Sequence, residues 1–334
     1  MKINPIPFLF DSSQPWISYN MHKKYLIGPK NDKQLLQLKE ANLKSKLIQE
    51  SIEMGLNWED AILKRHNDAN HPIHRLEILV ELGLTKTDPG ISEICEKVLL
   101  HQTEEGAFQT NIVVPKSFKG SGLASWEWMA CDIPILIHFL VKMGFQEDNR
   151  VKKAIDHLIA LIHDNGLRCY SSVLKFRGPG RKADHCPYAN LLALKALTNS
   201  SGTKKIKDAC SNAIQAQLDF WENRTKRKIY LFGIGTDFQK LKYPNVYYNI
   251  IHVLDVLSLY QEARESPLFQ EMLAVVNNKQ NKDGSFTAES VWRAFKNYDF
   301  GQKKASSPTL TYKIMEINNR CNMIPKQWLQ QKLE

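Results

Sequence analysis

The chain has 334 residues, of which 43% are hydrophobic and 24% charged, and its formal net charge at pH 7 is +10. This composition is that of an ordinary globular chain with enough apolar side chain for a large core. No segment offers the run of about eighteen apolar residues that a membrane helix needs, and two prolines interrupt the short apolar start MKINPIPFLF. The sequence therefore predicts a soluble, unexported, cytoplasmic protein.

The cysteines are scattered, and none forms a Cys-x-x-Cys pair. They are Cys95, Cys131, Cys169, Cys186, Cys210 and Cys321. This pattern argues against a disulfide framework and against a closed zinc site, and it is typical of a reducing compartment.

In chain order, residues 1–32 are predicted to be an N-terminal extension packed on one domain that covers 33–334. Within that domain, five segments combine a proline with an apolar run of three turns. The prolines are Pro72, Pro134, Pro187, Pro244 and Pro308, at intervals of about sixty residues. Proline at the first helical position removes only an N–H that has no partner, so each proline predicts the start of a buried inner helix.

Amphipathic helices are predicted between the proline-led ones. They cover residues 33–53, 90–103, 149–164, 203–222 and 267–280. Helical hairpins of this kind bury their apolar faces by stacking on neighbours. The alternation predicts an all-α fold, an α/α toroid of five to six hairpins, with an open α-solenoid as the alternative. The apolar circumference of the inner helices favours the closed ring.

Two of the outer helices end on the same short motif. The segments QTEEGAF (102–108) and QNKDGSF (280–286) share Gln-x-x-x-Gly-x-Phe. The motif resembles the QW-type repeat of the terpenoid cyclase and protein prenyltransferase superfamily, with Phe in place of the usual Trp. That resemblance implies an α/α toroid, because the members of the superfamily have this fold.

Three loops that lead into inner helices are basic, namely 168–182, 224–242 and 293–304. The first has five cations and no acid and contains FRGPGRK (176–182). Because helix N-termini also attract anions, we expect an anion site at this end of the ring. The predicted anion-binding residues are Arg168, Lys175, Arg177, Arg181 and Lys182. The alternative is that these loops are solvated surface.

Aromatic residues gather near the same inner-helix starts, and some of them are expected to line a cavity with an apolar wall and a charged rim. The predicted cavity aromatics are Trp126, Trp128, Tyr188, Tyr247 and Trp292.

The chemistry is less clearly marked, because the chain lacks the Asp-x-Asp-Asp motif of class II cyclases and the Asp-Asp-x-x-Asp box of class I enzymes. The prenyltransferase resemblance implies zinc held by Asp, Cys and His. Cys131 with Asp132 and His185 with Cys186 open consecutive inner helices, but the family's Asp-x-Cys spacing is missing. We therefore predict no metal site, and the sequence identifies no cofactor. Asp132 and His185 are the predicted catalytic residues.

The sequence thus predicts a protein that holds an apolar molecule with an anionic group, such as an isoprenoid or a phosphate-bearing compound, with or without transforming it. The alternative is a non-enzymatic binding protein that uses its basic end for nucleic acid or an acidic protein surface, because basic loops with interleaved aromatics also suit single-stranded nucleic acid.

Overall fold

The computed structural model of the chain describes residues 1–25, 32–176, 178, 181, 183–198, 200, 202–229 and 232–329. In this part of the chain it has fifteen α-helices and two small sheets, so the prediction of a mainly α-helical fold is confirmed. The helices are α1 (Ile6–Phe10), α2 (Pro15–Tyr25), α3 (Asp32–Leu43), α4 (Lys46–Leu56), α5 (Pro72–Glu81), α6 (Ile91–Leu100), α7 (Ile133–Lys142), α8 (Asn149–Ala160), α9 (Pro187–Leu197), α10 (Lys204–Glu222), α11 (Ile250–Leu257), α12 (Gln261–Arg264), α13 (Pro267–Asn277), α14 (Pro308–Arg320) and α15 (Lys326–Leu329). The strands are β1 (Thr110–Val113), β2 (Ala124–Glu127), β3 (Ile162–His163) and β4 (Gly166–Leu167), and each consecutive pair is antiparallel.

The chain divides into two compact units. Unit 1 comprises residues 1–50, 236–245 and 249–334, and unit 2 comprises residues 51–235 and 246–248. The division falls within α4.

Three proline-led helices form the interior of unit 2. α7 packs against both α5 and α9, and nearly every residue of α7 and α9 is buried. Pro72, Pro134 and Pro187 occupy the first or second position of their helices, as predicted. α8 packs on α7 and α10 on α9, each through one apolar face. The predicted pairing of buried inner helices with amphipathic outer helices is confirmed for these two hairpins.

The three interior helices of unit 2 share one buried ionic cluster. Glu77 on α5 accepts a hydrogen bond from His138 Nδ1 on α7 at 2.8 Å and pairs with Lys195 on α9. Burial opposes the ionisation of Glu77, but His138 and Lys195 outweigh it and hold the pKa of this carboxyl below its usual range. A buried charge needs such partners, so this cluster fixes how the three helices face each other.

The motif at 102–108 closes the turn after α6 in unit 2. Gln102 Nε2 donates to the carbonyl of Gly106 at 2.8 Å and to that of Arg150, in the first turn of α8, at 2.7 Å. Gly106 has a φ of +102°, which favours glycine, and Phe108 is fully buried. The glutamine therefore joins this turn to the start of the next outer helix.

The motif at 280–286 forms the same turn after α13 in unit 1. Gln280 Nε2 donates to the carbonyl of Gly284 at 2.9 Å and to that of Ile3 at 2.8 Å. Gly284 has a φ of +84°, and Phe286 is fully buried. The two copies thus use their glutamine, glycine and phenylalanine in the same way, although the glutamines reach different segments.

In unit 1, α14 packs against α1, α2 and α11, and α13 packs on α11. Pro308 begins α14 as predicted, and Ser307 Oγ caps it by accepting from Leu310 N. The prediction of a helix start at Pro244 is wrong, because α11 begins at Ile250. The carbonyl of Pro244 instead accepts a hydrogen bond from the indole N–H of Trp292 at 3.0 Å. The residues between Pro244 and the start of α11 form a loop.

Candidate functional site

Unit 2 encloses a cavity of about 440 Å³. Its lining residues are Lys64, Arg65, His66, Asn67, Ile112, Val113, Val114, Pro115, Phe118, Met129, Cys131, Cys169, Phe176, Cys186, Tyr188, Phe232 and Tyr247. Most of this wall is aliphatic or aromatic. Lys64, Arg65 and Asn67 are exposed, so they mark the rim, whereas Cys131 and Tyr188 are buried and mark the floor. The volume and the mixture of apolar wall and few polar groups are those of small-molecule sites, which span about 300–1,000 Å³.

Backbone pairing with β1 positions the segment that carries His66. Leu63 forms a parallel bridge with Ile112, in which Leu63 N donates to the carbonyl of Asn111 at 2.8 Å. Val113 N donates back to the carbonyl of Leu63 at 3.0 Å. These two bonds hold residues 64–67 along one side of the cavity. His66 follows the paired residue Leu63 by three positions.

Cys131 and Cys186, which line the cavity, both lie at helix starts. Asp132 is the N-cap residue of α7, and Cys131 precedes it. Cys186 is the N-cap residue of α9, and its N–H donates to the carbonyl of Leu167 at 2.8 Å. Since helix N-termini favour negative charge, both starts suit thiolate or carboxylate groups.

His66, Cys131 and Asp132 form a compact cluster. His66 Nδ1 lies 3.1 Å from Asp132 Oδ1 and 3.3 Å from Cys131 Sγ. Cys131 Sγ lies 3.6 Å from Asp132 Oδ1. One ligand-type atom of each residue lies within 4.8 Å of the others, so the three side chains can hold one metal ion.

The surroundings shift the pKa values of two members of this cluster. Burial lowers the pKa of His66, but the charge and hydrogen bond of Asp132 outweigh it and leave that pKa above its ordinary value. Burial, reinforced by the Asp132 carboxylate, raises the pKa of the Cys131 thiol well above its usual range. Asp132 thus favours the protonated, cationic form of the His66 imidazole, whereas Cys131 is favoured as a neutral thiol.

Cys169 and Cys186 form a second pair in the same wall. A hydrogen bond from Cys169 lowers the pKa of Cys186, and the backbone N–H groups of Tyr188 and Ala189 in the first turn of α9 act in the same direction. Cys186 is thus the thiol that the fold favours as a thiolate, and Cys169 stays a thiol beside it.

The structure separates the two predicted catalytic residues. Asp132 belongs to the cluster, whereas His185 lines a second cavity of about 440 Å³ with Asp219 and Arg227 among its neighbours. Burial, with a smaller contribution from Arg227, lowers the pKa of His185 to about 4. The side chain is therefore a neutral imidazole at pH 7, packed edge-on against Phe220 with the ring centroids 5.9 Å apart.

None of the predicted anion-binding residues that the structure describes lines the first cavity. Arg168 is half-buried, and its Nε has no hydrogen-bond partner within the described part of the chain. Lys175 and Arg181 are exposed. Arg177 and Lys182 lie outside the described residues. The cations at the rim are Lys64 and Arg65, which the sequence pattern did not single out.

The predicted cavity aromatics lie in several places. Tyr188 and Tyr247 line the cavity, with ring centroids 4.8 Å apart, and Tyr188 donates to the carbonyl of Val246 at 2.8 Å. Trp126 stacks on His101, and Trp128 meets His157 edge-on. Trp292 belongs to unit 1, where Lys242 Nζ lies 3.3 Å from the centroid of its ring.

His66 is the functional candidate that the sequence analysis missed. It lies in an irregular segment before α5, 65 residues from Cys131 in sequence. The pairing of Leu63 with Ile112 brings it to the cavity, and a single isolated bridge leaves no periodic pattern in the sequence.

No protein-family model matches this chain, and no curated protein matches it significantly. Among the described residues, no helix is long and apolar enough to cross a membrane.

Proposed function

We propose that unit 2 binds a small molecule with an apolar body and an anionic group in the cavity above His66, Cys131 and Asp132. The observation that carries this proposal is the lining of the cavity, which is mostly apolar but includes the exposed cations Lys64 and Arg65 and the half-buried His66. An isoprenoid-like or other phosphate-bearing compound matches this arrangement.

The rim suits an anion for two reasons. Lys64 and Arg65 are exposed lining residues, and the lining residues of the described part of the chain include no Asp or Glu. Guanidinium and ammonium groups form charge-assisted hydrogen bonds with phosphate oxygens. The apolar wall, which includes Val114, Met129 and Phe232, would cover the body of the ligand by excluding water from it.

The floor suits chemistry as well as binding. A thiol, an imidazole and a carboxylate that meet next to an apolar chamber can transfer a proton or hold a metal ion, and little water competes there. We propose that the chain is a divergent relative of the α/α-toroid cyclases and prenyltransferases. The hairpins α7/α8 and α9/α10 and the equivalent use of the two Gln-x-x-x-Gly-x-Phe motifs support this proposal.

Calorimetric titration with farnesyl diphosphate, farnesol and inorganic diphosphate tests the binding proposal. We expect farnesyl diphosphate to bind more tightly than either part alone. Replacing Lys64 and Arg65 by alanine should weaken it about tenfold to a hundredfold, because two charge-assisted hydrogen bonds are lost at an exposed rim. The matched control is Lys204→Ala with Lys205→Ala, an exposed pair at the start of α10.

Equal affinities in the two double variants, or no heat with any of the three compounds, would contradict the proposal. Filter binding of single-stranded DNA over a salt series tests the alternative. A steep salt dependence of DNA binding, together with no binding of the diphosphate, would favour the non-enzymatic protein with a basic nucleic-acid surface.

A further inference from the structure

We infer that Cys169 and Cys186 form a site of reversible oxidation, at which a hydroperoxide that enters the cavity of unit 2 joins the two thiols in a disulfide. The inference rests on the contact between these side chains and on their place in the cavity wall. It does not depend on the ligand proposed for the cavity.

Backbone pairing holds the two side chains beside each other. Cys186 N donates to the carbonyl of Leu167 at 2.8 Å, two residues before Cys169. Ala130 N donates to the carbonyl of Tyr170, the residue after Cys169, at 3.0 Å. With the segment fixed on both sides, the Cys169 thiol donates a hydrogen bond to the sulfur of Cys186. Two thiols in this contact need little movement to form a bond.

Both thiols are accessible from the cavity. Cys169 and Cys186 line it, and each is half-buried. Cys95 and Cys210 are buried and are not among the lining residues in the described part of the chain. A hydroperoxide has only a few heavy atoms, and a cavity of about 440 Å³ has room for it. The pair is therefore within reach of a small oxidant, which is a condition for selective oxidation.

The surroundings give the two sulfurs different roles. The hydrogen bond from Cys169 lowers the pKa of Cys186, the N-cap residue of α9, and backbone N–H groups in the first turn of that helix act in the same direction. The same hydrogen bond, together with burial, raises the pKa of Cys169. The thiolate is the form of cysteine that attacks a peroxide. Cys186 is therefore the sulfur that reacts with the peroxide, and Cys169 is the resolving thiol.

The reaction has two steps. The Cys186 thiolate attacks one oxygen of the peroxide, so that a sulfur–oxygen bond forms, the oxygen–oxygen bond breaks and the leaving oxygen takes a proton from solvent. This step oxidises the sulfur to a sulfenic acid by two electrons and reduces the peroxide by two. The Cys169 sulfur then attacks the Cys186 sulfur, and its proton leaves with the hydroxyl group as water. The products are the disulfide, this water, and a second water or an alcohol from the peroxide.

Cys131 is the third thiol in the cavity wall, and its surroundings differ. It is buried, and its Sγ lies 3.3 Å from His66 Nδ1 and 3.6 Å from Asp132 Oδ1. Burial and the Asp132 carboxylate raise the pKa of this thiol well above its usual range. A thiol that stays protonated reacts slowly with a peroxide, so we expect Cys131 to remain unchanged while the pair is oxidised.

Oxidation of the purified, reduced chain with hydrogen peroxide tests this inference. We expect wild type to lose two of its six titratable thiols and its digest to contain one peptide pair joined through Cys169 and Cys186, identified by mass spectrometry. Dithiothreitol should restore both thiols. Cys186→Ser should form no disulfide. Two controls should form the same disulfide as wild type, namely Cys131→Ser and Cys321→Ser, the latter a half-buried thiol in unit 1.

The Cys169→Ser variant separates the two roles. Without its resolving partner, Cys186 should stop at the sulfenic acid, which dimedone labels. At low peroxide, labelling of Cys186 should exceed that of Cys321 by at least about tenfold, because the reaction follows the thiolate fraction and burial raises the pKa of Cys321. The disulfide map of wild type decides the matter even if a variant fails to fold.

Three results would overturn the inference. They are a wild-type chain with no bridge between Cys169 and Cys186, a bridge from either residue to Cys131 instead, and equal dimedone labelling of Cys186 and Cys321. These readouts follow sulfur chemistry and no cavity ligand is added, so they leave the proposed binding function untouched.

Discussion

Replacing His185 should make the protein less sensitive to mild acid. Burial lowers the pKa of His185 to about 4 in the folded chain, against an ordinary value of 6.5. The unfolded chain therefore binds a proton below pH 6.5 that the folded chain does not accept until about pH 4. Stability is lost as the pH falls through this window, and the loss from this residue reaches about 3 kcal/mol below it. At pH 5 the same linkage makes the free energy of unfolding about 2 kcal/mol lower than at pH 8.

The measurement is the free energy of unfolding from urea titrations of wild type and His185→Gln at pH 8, 6.5 and 5. Between pH 8 and pH 5, the free energy of unfolding should fall by about 2 kcal/mol less in the variant than in wild type. Other groups that respond to acid, such as His74 with its pKa lowered to about 3, act equally in both proteins and cancel in the difference. His163→Gln, at an exposed position, should follow wild type. Parallel stability profiles for wild type and His185→Gln would show that the burial of His185 does not cause this acid sensitivity.

Three further predictions concern the fold of unit 2. Gln102→Leu removes two hydrogen bonds to backbone carbonyls and should lower the free energy of unfolding by about 1–3 kcal/mol, measured by urea denaturation. Gly106→Ala should lower the melting temperature, because φ is +102° and the new Cβ would lie 2.8 Å from a backbone oxygen, whereas Gly235→Ala meets nothing within 4 Å and should not. Lys195→Met should lower the free energy of unfolding by about 3–5 kcal/mol, because Glu77 is left buried without its lysine partner. Adding Glu77→Gln should recover part of that loss in the same assay. No recovery would count against the ionic cluster.

The elements that depend on local pattern could be predicted from the sequence. Pro72, Pro187 and Pro308 begin helices because proline at the first position needs no N–H partner, and that rule uses only neighbouring residues. The one-sided periodicity of 149–164 likewise predicts the amphipathic α8. Pro244 lies in a loop instead of beginning a helix, and its carbonyl accepts the indole N–H of Trp292, a contact with a distant segment that no local signal marks.

The candidate site depends on long-range contacts and was only partly predictable. Asp132 could be selected because a carboxylate at a helix start is a local pattern. His185 occupies the matching place at the next helix start, but its side chain enters a different cavity, and side-chain direction at a cap follows from packing rather than from spacing. His66 could be placed only by knowing that Leu63 pairs with Ile112. Leu63 lies outside any helix or strand, so no regular pattern predicts this pairing.

The native mass spectrum of the protein as purified shows whether the cavity of unit 2 is a ligand site. Wild type should carry a copurifying small molecule with an anionic group, released on denaturation and identifiable by its mass. Val114→Phe, which fills part of the apolar wall, should carry little of it, and Leu259→Phe, an exposed position in unit 1, should carry as much as wild type. An adduct of equal abundance on wild type and Val114→Phe would show that the small molecule does not lie in this cavity.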